Sequence, residues 1–224
     1  MGLKILKCER KGQICSELMQ CRRQEVVEVA VQTIKEGGLL VYPTDTLYGL
    51  GADAMNAGAI GKVYEAKERP FDAPISVAVS DLDMMQKVTS LTPWMCRVVE
   101  ALIPRPITFL LPKGKKVPNT LTAGSEILGV RIPNHMFALS VVAQTGPITT
   151  TSANLHEGHA PRTIRSAIRQ LGEAVDLYVD CGRTVFGRAS TVVDLTGNTA
   201  SKVRISRKGA AGRDEIKRII ASIK

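Results

Sequence analysis

Hydrophobic and polar positions along the chain follow two different periods, which predicts a mixture of helices and strands. Across residues 24–36 the apolar side chains recur on one helical face, and Gly37-Gly38 supplies a stop. Residues 39–42 then form a short apolar run with β-branched and aromatic content, and Pro43 ends it. We therefore expect a helix that leads directly into a buried strand.

The same patterns predict the remaining elements. Further strands are expected at residues 75–79, 107–111, 128–132, 148–151, 177–179, 191–195 and 203–205. Further helices are expected around residues 60–64, at residues 135–144 and 163–171, and at the C-terminus. Two more should follow capping residues: Ser80, with Asp83 at the reciprocal position, and Thr92, with Pro93 in the first turn. Strands and helices intermix without a strict βαβ repeat. The expected class is α/β, a single domain with a twisted, mixed open sheet and flanking helices.

Composition favours one domain with an anionic partner. The 224 residues are 44% hydrophobic, which is enough for a full core, and the net charge is +9. This charge favours a nucleotide or RNA, although an aromatic content of 4% weakens the case for base stacking. No apolar run approaches the ~18 residues of a membrane span, and the N-terminus lacks a signal peptide's hydrophobic stretch. We expect a cytoplasmic enzyme with no membrane partner.

The five cysteines are odd in number and irregularly spaced: Cys8, Cys15, Cys21, Cys96 and Cys181. This argues against a disulfide framework in a cytosolic chain. A zinc site at the first three is not favoured, because no CxxC occurs there and no histidine lies nearby.

A polar turn, here called the first elbow, follows the strand at residues 39–42. Thr44, Asp45 and Thr46 place three oxygen-bearing side chains beyond the carboxyl end of this strand, where open α/β sheets gather their ligands. Gly49 and Gly51 are expected to let the backbone approach a ligand closely.

Two cations, Lys67 and Arg69, lie two residues apart before Pro70. Arg offers a planar fork to two phosphate oxygens, and Lys supplies a mobile point charge, so the pair could hold a triphosphate. The alternative is that both are solvated charges at a helix end, which is the commoner situation for this spacing.

Further candidate residues lie later in the chain. Arg131, between Val130 and Ile132 in an apparently buried strand, must meet a ligand anion or a protein partner, because a buried charge is costly alone. A second elbow, residues 152–154, follows another strand end. The loop at residues 181–190 carries Ser190, and the lysines at 113, 115 and 116 are more often solvated than part of an RNA site.

Several enzyme classes are excluded by missing motifs. The segment NAGAIGKV lacks the first glycine and the hydroxyl of a Walker loop, and GLGAD is only part of a dinucleotide fingerprint. The three histidines form no HExxH, and there is no GxSxG elbow. Metalloprotease and serine hydrolase functions are therefore not expected.

Six segments taken together, PTDTLYGLGADA, YEAKERP, GVRIPNH, TTTSAN, STVVDL and ISRKGA, resemble the YrdC/TsaC family of threonylcarbamoyl-AMP synthases in order and separation. The resemblance covers residues 24–224 as one YrdC-like domain and leaves residues 1–23 as an N-terminal extension. It implies an enzyme that joins L-threonine, bicarbonate and ATP into threonylcarbamoyl-AMP and pyrophosphate. The product serves the N6-threonylcarbamoyl modification of adenosine 37 in tRNA, through a separate transferase complex.

The resemblance also implies roles for individual residues. The catalytic signature KxR…SxN falls on Lys67, Arg69, Ser152 and Asn154. ATP would be bound by Lys67, Arg69, Asn154 and Arg207, with Arg204 as a competitor for the last position, and threonine by Thr46, Arg131, Ser152 and Ser190. Mg²⁺ would accompany ATP, and no protein metal site is implied.

Three positions depart from the family pattern. Ala73 stands where Asn or Lys is frequent and Ala78 where His is frequent, so one nucleotide contact and one threonine-side contact are expected to be missing. Arg105 replaces a glycine of a PGP turn, which concerns the turn rather than the chemistry. No second domain follows the ISRKGA segment, which suggests the short form of the family.

The implied chemistry needs no protein nucleophile. A carbamate formed from the threonine amine attacks the α-phosphorus of ATP, and the protein positions the reactants and stabilises charge. Two alternatives stay open: a basic RNA-binding module of the same fold, and a paralogue without synthase activity, against which the intact signature argues. Direct tRNA binding is expected to be weak.

Overall fold

The computed structural model of the protein describes residues 3–8 and 16–223, which form two β-sheets with helices packed around them. The strands are β1 (Ile5–Lys7), β2 (Leu40–Tyr42), β3 (Gly49–Gly51), β4 (Val77–Ala78), β5 (Ile107–Pro112), β6 (Ile127–Arg131), β7 (Ile148–Thr149), β8 (Thr151–Ser152), β9 (Leu177–Asp180), β10 (Thr191–Asp194) and β11 (Arg204–Arg207). The helices are α1 (Ser16–Lys35), α2 (Ala57–Ala66), α3 (Leu82–Val88), α4 (Pro93–Leu102), α5 (Asn119–Thr122), α6 (Met136–Thr145), α7 (Ile164–Leu171) and α8 (Arg213–Ala221).

Both sheets mix parallel and antiparallel pairs, which confirms the expected α/β class. One sheet has the order β1-β9-β2-β3-β8 and the other β11-β10-β5-β6-β4-β7, so the strands divide between two sheets instead of forming one. The segment at residues 148–151, predicted as one strand, explains the division. Its first half pairs with β4 and its second half with β3, so the chain passes between the sheets at Thr150.

The N-terminal strand β1 lies at the edge of the five-stranded sheet, parallel to β9. Helix α1 runs across residue 24, so the boundary between an extension and a domain at that residue stays a prediction. Among the described residues, no helix is long and apolar enough to cross a membrane.

A disulfide joins Cys8 to Cys181, with 5.0 Å between the Cα atoms, although the number and spacing of the cysteines argued against a disulfide framework. The two residues follow β1 and β9 in register, so parallel strand pairing brings them together across 173 positions of sequence. Cys96 is free, whereas Cys15 and the side chain of Cys21 lie outside the described residues.

The core consists of two clusters of buried apolar side chains. The larger one contains Tyr64 of α2, Phe109 of β5 and Val130 of β6, and helices α3, α4, α7 and α8 also contribute to it. The smaller one is closed by the apolar faces of α1 and α6, which pack over Tyr42 and Leu177. The helical face predicted at residues 24–36 is therefore confirmed as a buried face.

Two helix caps show where residue patterns are reliable. Thr92 caps α4 as predicted, since its hydroxyl accepts the Met95 amide at 3.3 Å with Pro93 in the first turn. Ser80 does not cap α3, which corrects the expectation. Asp81 does so through a 2.7 Å bond from the Met84 amide, because a carboxylate is the stronger acceptor, and Ser80 donates to Asp81 instead.

The glycines of β3 accommodate the ring of Tyr42 on the neighbouring strand. A Cβ atom at Gly51 would lie 2.9 Å from Cε1 of Tyr42, and one at Gly49 would lie 3.1 Å from it. Tyr42 is fully buried, and its hydroxyl donates to the Thr149 carbonyl at 3.3 Å. The expectation that Gly51 brings the backbone close to a ligand is wrong, because a side chain of the protein fills that space.

We predict that Gly51→Ala destabilises the protein by about 1–3 kcal/mol, because the rigid Tyr42 ring cannot yield to an overpacked methyl group. Gly61→Ala is the matched control. A Cβ there meets nothing within 4 Å in the middle of α2, so it should stabilise the helix by roughly 0.5–1 kcal/mol. Urea unfolding of both variants measures the difference, and equal effects would contradict the role given to Tyr42.

Candidate active site

A cleft of about 230 Å³ lies at the junction of the two sheets. Its walls are rich in hydroxyl and guanidinium groups, and no acidic side chain is among the lining residues. The lining residues are Thr44, Thr46, Leu47, Tyr48, Gly49, Arg69, Pro74, Ile75, Ser76, Thr108, Arg131, Thr150, Thr151, Ser152, Ala189, Ser190 and Arg207. Such a cleft has a positive potential and selects anions.

The first elbow is held by the hydroxyl of Thr44. This oxygen donates to the Leu47 carbonyl at 2.6 Å and accepts the amides of Thr46 and Leu47 at 3.1 and 3.2 Å. Thr side chains stabilise turns in this way because the hydroxyl replaces a backbone partner. The turn fixes the position of Thr46, whose hydroxyl lies 2.9 Å from that of Thr44.

Arg131 of β6 joins the two sheets through the first elbow. Its Nη2 donates to Asp45 Oδ1 at 2.6 Å and its Nη1 to Thr46 Oγ1 at 2.7 Å. All three residues are at least nine-tenths buried. The expected protein partner of Arg131 is therefore Asp45, and the contact with a ligand anion stays a prediction for a residue that also lines the cleft.

Lys67 lies behind the second elbow and is 1% exposed. Its Nζ donates to the carbonyl of Ser152 at 2.6 Å and to that of Asn154. This burial contradicts the alternative that Lys67 is a solvated charge at a helix end. Lys67 is not among the residues that line the cleft, whereas Ser152 is.

The end of α2 explains why Lys67 and Arg69 point to different places. The amide of Glu68 bonds to the Glu65 carbonyl and that of Arg69 to the Tyr64 carbonyl, which is a Schellman motif. Glu68 adopts the left-handed conformation with φ of 49°, which glycine usually supplies. The chain reverses there, so Lys67 stays inside while Arg69 reaches the cleft.

Arg69 lines the cleft and is held by the turn that follows it. Its Nε donates to the Ala73 carbonyl at 3.1 Å and its Nη2 to the Pro74 carbonyl at 3.0 Å. Nη1 lies 3.4 Å from Nδ1 of His156. Burial lowers the pKa of Arg69 below its usual value, so the surroundings favour an added anion.

Asn154 organises the loop after the second elbow. Its Nδ2 donates to the Leu155 carbonyl at 2.6 Å and to the Gly158 carbonyl at 3.0 Å. The side chain is buried and does not line the cleft, so the structure brings Lys67 and Asn154 together behind Ser152 rather than beside Arg69.

Ser190 and Arg207 form the opposite wall. The Ser190 hydroxyl lies 2.7 Å from that of Thr108, and Arg207 Nη2 donates to the Ser190 carbonyl at 3.1 Å. Burial and the nearby charge of Arg131 both lower the pKa of Arg207. Arg204 lies at the other end of β11, opposite Asp194 and outside the cleft, so its placement supports Arg207 as the relevant arginine.

Ser76 and Thr108 are two of the lining residues that sequence reasoning missed. Each interrupts an apolar run, and a hydroxyl at such a position was the available signal.

The two alanines that depart from the family pattern, Ala73 and Ala78, lie in different surroundings. The Ala73 carbonyl orients Arg69, whereas Ala78 is buried in the core beside Arg131 and does not reach the cleft.

Three buried polar atoms around the site have no hydrogen-bond partner among the described residues: Asp45 Oδ2, Arg131 Nε and Asn154 Oδ1. Native proteins satisfy most buried polar groups, so such atoms indicate a bound molecule or ordered water.

The donor set does not fit a metal ion held by the protein alone. Mg²⁺ usually takes one or two carboxylates together with substrate phosphates. No residue with a carboxylate lines the cleft, and no group of three or more His, Cys, Asp or Glu side chains in the described part of the chain could hold a metal.

Two mixed sheets that meet at an arginine-lined cleft define an α/β protein whose cleft has the charge to suit a small anionic molecule. The Sua5/YciO/YrdC family model, which carries the description "Telomere recombination", matches residues 32–209. The chain belongs to this family, which confirms the resemblance seen in the sequence.

Two relatives show how much of the family's proteins this chain represents. It is 30% identical over 200 residues to the threonylcarbamoyl-AMP synthase of Pyrococcus abyssi, which covers 88% of this chain and 58% of that protein. It is 30% identical over 190 residues to the putative threonylcarbamoyl-AMP synthase of Methanocaldococcus jannaschii, with coverage of 84% and 89%. The chain thus spans less than two thirds of the first relative and most of the second.

The fold agrees with a solved structure of the family. The crystal structure of P. abyssi Sua5 complexed with L-threonine has a TM-score of 0.85 to this chain at 28% identity, over 100% of this chain and 62% of the other. The two folds therefore correspond over the whole of the present chain.

We predict that Lys67 makes stability rise with pH above neutrality. Burial, followed by the charge of Arg69, lowers the pKa of Lys67 to about 7, whereas an unfolded lysine keeps a pKa of about 10.4. Between these values the unfolded chain binds more protons, so raising the pH favours the native state, and below about pH 7 the contribution is constant. Urea midpoints from about pH 7 to about pH 9 should rise more for the wild type than for Lys67→Met. Lys62→Met, which removes an exposed lysine of the same helix, should parallel the wild type. Parallel curves for all three proteins would contradict the prediction.

Proposed function

We propose that the protein is a threonylcarbamoyl-AMP synthase, which forms threonylcarbamoyl-AMP and pyrophosphate from L-threonine, bicarbonate and ATP. The observation that carries the proposal is the convergence of Arg69, Arg131 and Arg207 on one hydroxyl-lined cleft without an acidic lining residue. The names of the relatives and the threonine bound to P. abyssi Sua5 support it.

Arg131 is the proposed partner of the threonine carboxylate. Asp45 and Thr46 occupy one hydrogen of Nη2 and one of Nη1, and Nε has no partner among the described residues. The guanidinium therefore keeps donors for a second carboxylate, in the planar geometry that favours bidentate binding. Thr46, Ser152 and Ser190 supply hydroxyls around this position, in agreement with their proposed part in threonine binding.

Arg69 and Arg207 are the proposed contacts of the ATP phosphates, on two walls of the same cleft. Partial burial lowers the pKa of both guanidinium groups, and an anion between them would favour their charged form. We further propose that Mg²⁺ enters with ATP and would be held by the phosphate oxygens, because no carboxylate residue is among those that line the cleft. Its chemistry would be to neutralise charge on the departing pyrophosphate.

The reaction follows from these positions. Bicarbonate takes up a proton and loses water to give carbon dioxide, and the neutral threonine amine adds to its carbon and releases a proton, which gives a carbamate. A carbamate oxygen then forms a bond to the α-phosphorus, the bond from that phosphorus to the bridging oxygen breaks, and pyrophosphate leaves with the electron pair. The arginines stabilise the charge that develops, a type of contact worth about 10²- to 10³-fold each in rate.

We further propose that the product passes to a separate threonylcarbamoyl-transferase complex that modifies tRNA, and that the reaction takes place in the cytoplasm. The alternative of a basic RNA-binding module is not favoured. The charged groups converge in a small cleft with Tyr48 as its one aromatic lining residue, whereas single-stranded RNA binding uses an aromatic platform along a groove.

Pyrophosphate release with each substrate omitted in turn tests the proposal. Release should require ATP, L-threonine and bicarbonate together and should not require RNA. ATP consumption that is independent of threonine and bicarbonate, or that occurs only with RNA bound, would refute the synthase function.

We predict that Arg131→Lys raises the KM for threonine by about tenfold or more and that for ATP by much less, because lysine loses the bidentate fork. The steady-state kinetics of pyrophosphate release measure both constants. Arg165→Lys, an exposed substitution on α7, is the control and should change neither. Equal increases for both substrates would argue against a contact with the threonine carboxylate.

A further inference from the structure

We propose that Lys67 is a positioning residue: it holds the backbone of the second elbow from inside the protein and acts on the substrates through Ser152, without contacting the phosphates. The effect on catalysis rests on the proposed function, whereas the effect on the elbow does not. The family resemblance gave Lys67 a phosphate contact, and its place in the structure supports a different role.

The side chain of Lys67 points toward the elbow backbone and away from the cleft. The ammonium nitrogen of Lys67 has two backbone acceptors, the carbonyls of Ser152 and Asn154, and the residue is 1% exposed. Arg69, two positions later, lines the cleft where Lys67 does not. The Schellman turn at Glu68 fixes this difference, so a phosphate in the cleft would meet Arg69 while Lys67 is occupied behind the wall.

The geometry of the second elbow directs two backbone carbonyls toward Lys67. The Asn154 amide donates to the Ser152 carbonyl at 2.9 Å, so the chain turns within three residues and directs the carbonyls of 152 and 154 to the same nitrogen. Without Lys67 the Asn154 carbonyl would lose a donor, which is costly for a buried group, whereas the Ser152 carbonyl would keep the Asn154 amide. An apolar side chain at position 67 could not replace these contacts. A long side chain with at least two N–H donors at its end is what this position requires.

The backbone of Lys67 also contacts the loop that follows the elbow. Its carbonyl accepts the amide of His156 at 2.8 Å, and the Ala153 amide is held by the Tyr48 carbonyl at 2.8 Å. Residue 67 thus contacts residues 152–156 from both its main chain and its side chain. Of the elbow residues 152–154, Ser152 lines the cleft, next to Thr151, which also lines it.

The protonation state is consistent with this role. Burial lowers the pKa of Lys67 to about 7, so the neutral amine is accessible near neutral pH. A neutral amine still has two N–H donors, which is the number that the two carbonyls need. A neutral amine would no longer attract phosphate through its charge, whereas it would still donate hydrogen bonds to carbonyl oxygens.

The test compares four variants whose side chains separate charge from hydrogen bonding. Lys67→Met removes both the charge and the donors, and Lys67→Gln removes the charge but keeps two amide N–H donors on a side chain one bond shorter. Arg69→Gln removes the cleft arginine. Lys62→Met removes a lysine of α2 that donates to the Gly37 carbonyl, far from the elbow in sequence and exposed, and serves as the control.

Amide hydrogen exchange is the first measurement, and it needs no turnover. In Lys67→Met the amides of residues 153–158 should exchange at least about tenfold faster, while those of β5 stay unchanged, because the opening is local. Lys67→Gln should lie close to the wild type. Lys62→Met should leave the elbow amides unchanged, and Arg69→Gln should leave those of Ala153 and Asn154 unchanged, because Arg69 contacts this loop at the ring of His156.

Pyrophosphate release is the second measurement. Lys67→Gln should keep activity within about tenfold of the wild type, whereas Lys67→Met and Arg69→Gln should lose about 10²-fold or more. The proposal is overturned if the elbow amides of Lys67→Met exchange at the wild-type rate, or if Lys67→Gln is as inactive as Arg69→Gln. Should Lys67→Met fail to fold, the comparison of Lys67→Gln with Arg69→Gln remains decisive. A wild type that releases no pyrophosphate would refute the synthase function, while hydrogen exchange would still decide whether Lys67 holds the elbow.

Discussion

The contact of Arg131 with Asp45 and Thr46 is the interaction on which the site depends. It joins β6 of one sheet to the first elbow of the other, and all three side chains are buried. Removing one partner of a buried ion pair typically costs about 3–5 kcal/mol, because the remaining charge is left without compensation. The position of the two sheets relative to each other is thus coupled to the position of a cleft arginine.

Other parts of the site are built onto this junction. The amides of Phe186 and Gly187 bond to the carbonyls of Asp45 and Thr46 at 3.0 Å, so the loop that leads to Ser190 is fastened to the first elbow. Gly209 passes so close to Ser190 that a Cβ atom there would lie 2.2 Å from the Ser190 carbonyl carbon, which explains the glycine of the ISRKGA segment. Arg207 then reaches Ser190 from the same strand end. The walls of the cleft therefore carry three guanidinium groups, and Asp45 balances their charge only in part. An anionic ligand would compensate the remaining positive charge.

Much of this structure could be predicted from the sequence, because the relevant signals are local. The apolar periods located most helices and strands, Thr92 and Pro93 marked the start of α4, and a lone arginine in an apolar strand pointed to a paired or functional charge. The features that were missed depend on contacts between distant segments or on unusual local geometry. The split of residues 148–151 between two sheets and the pairing of Cys8 with Cys181 follow from strand order, which periodicity does not contain. The inward direction of Lys67 follows from a left-handed residue at Glu68, where no glycine signalled the turn.

The most direct test of this account is a double-mutant cycle on Asp45 and Arg131, followed by urea unfolding. Asp45→Ala and Arg131→Met should each be strongly destabilising, since each leaves the other group buried without its partner. The double variant should be more stable than at least one of the single variants, because it removes the uncompensated charge. Additive losses would contradict the account, since they would show that the two side chains stabilise the protein independently and that the ion pair does not hold the two sheets together.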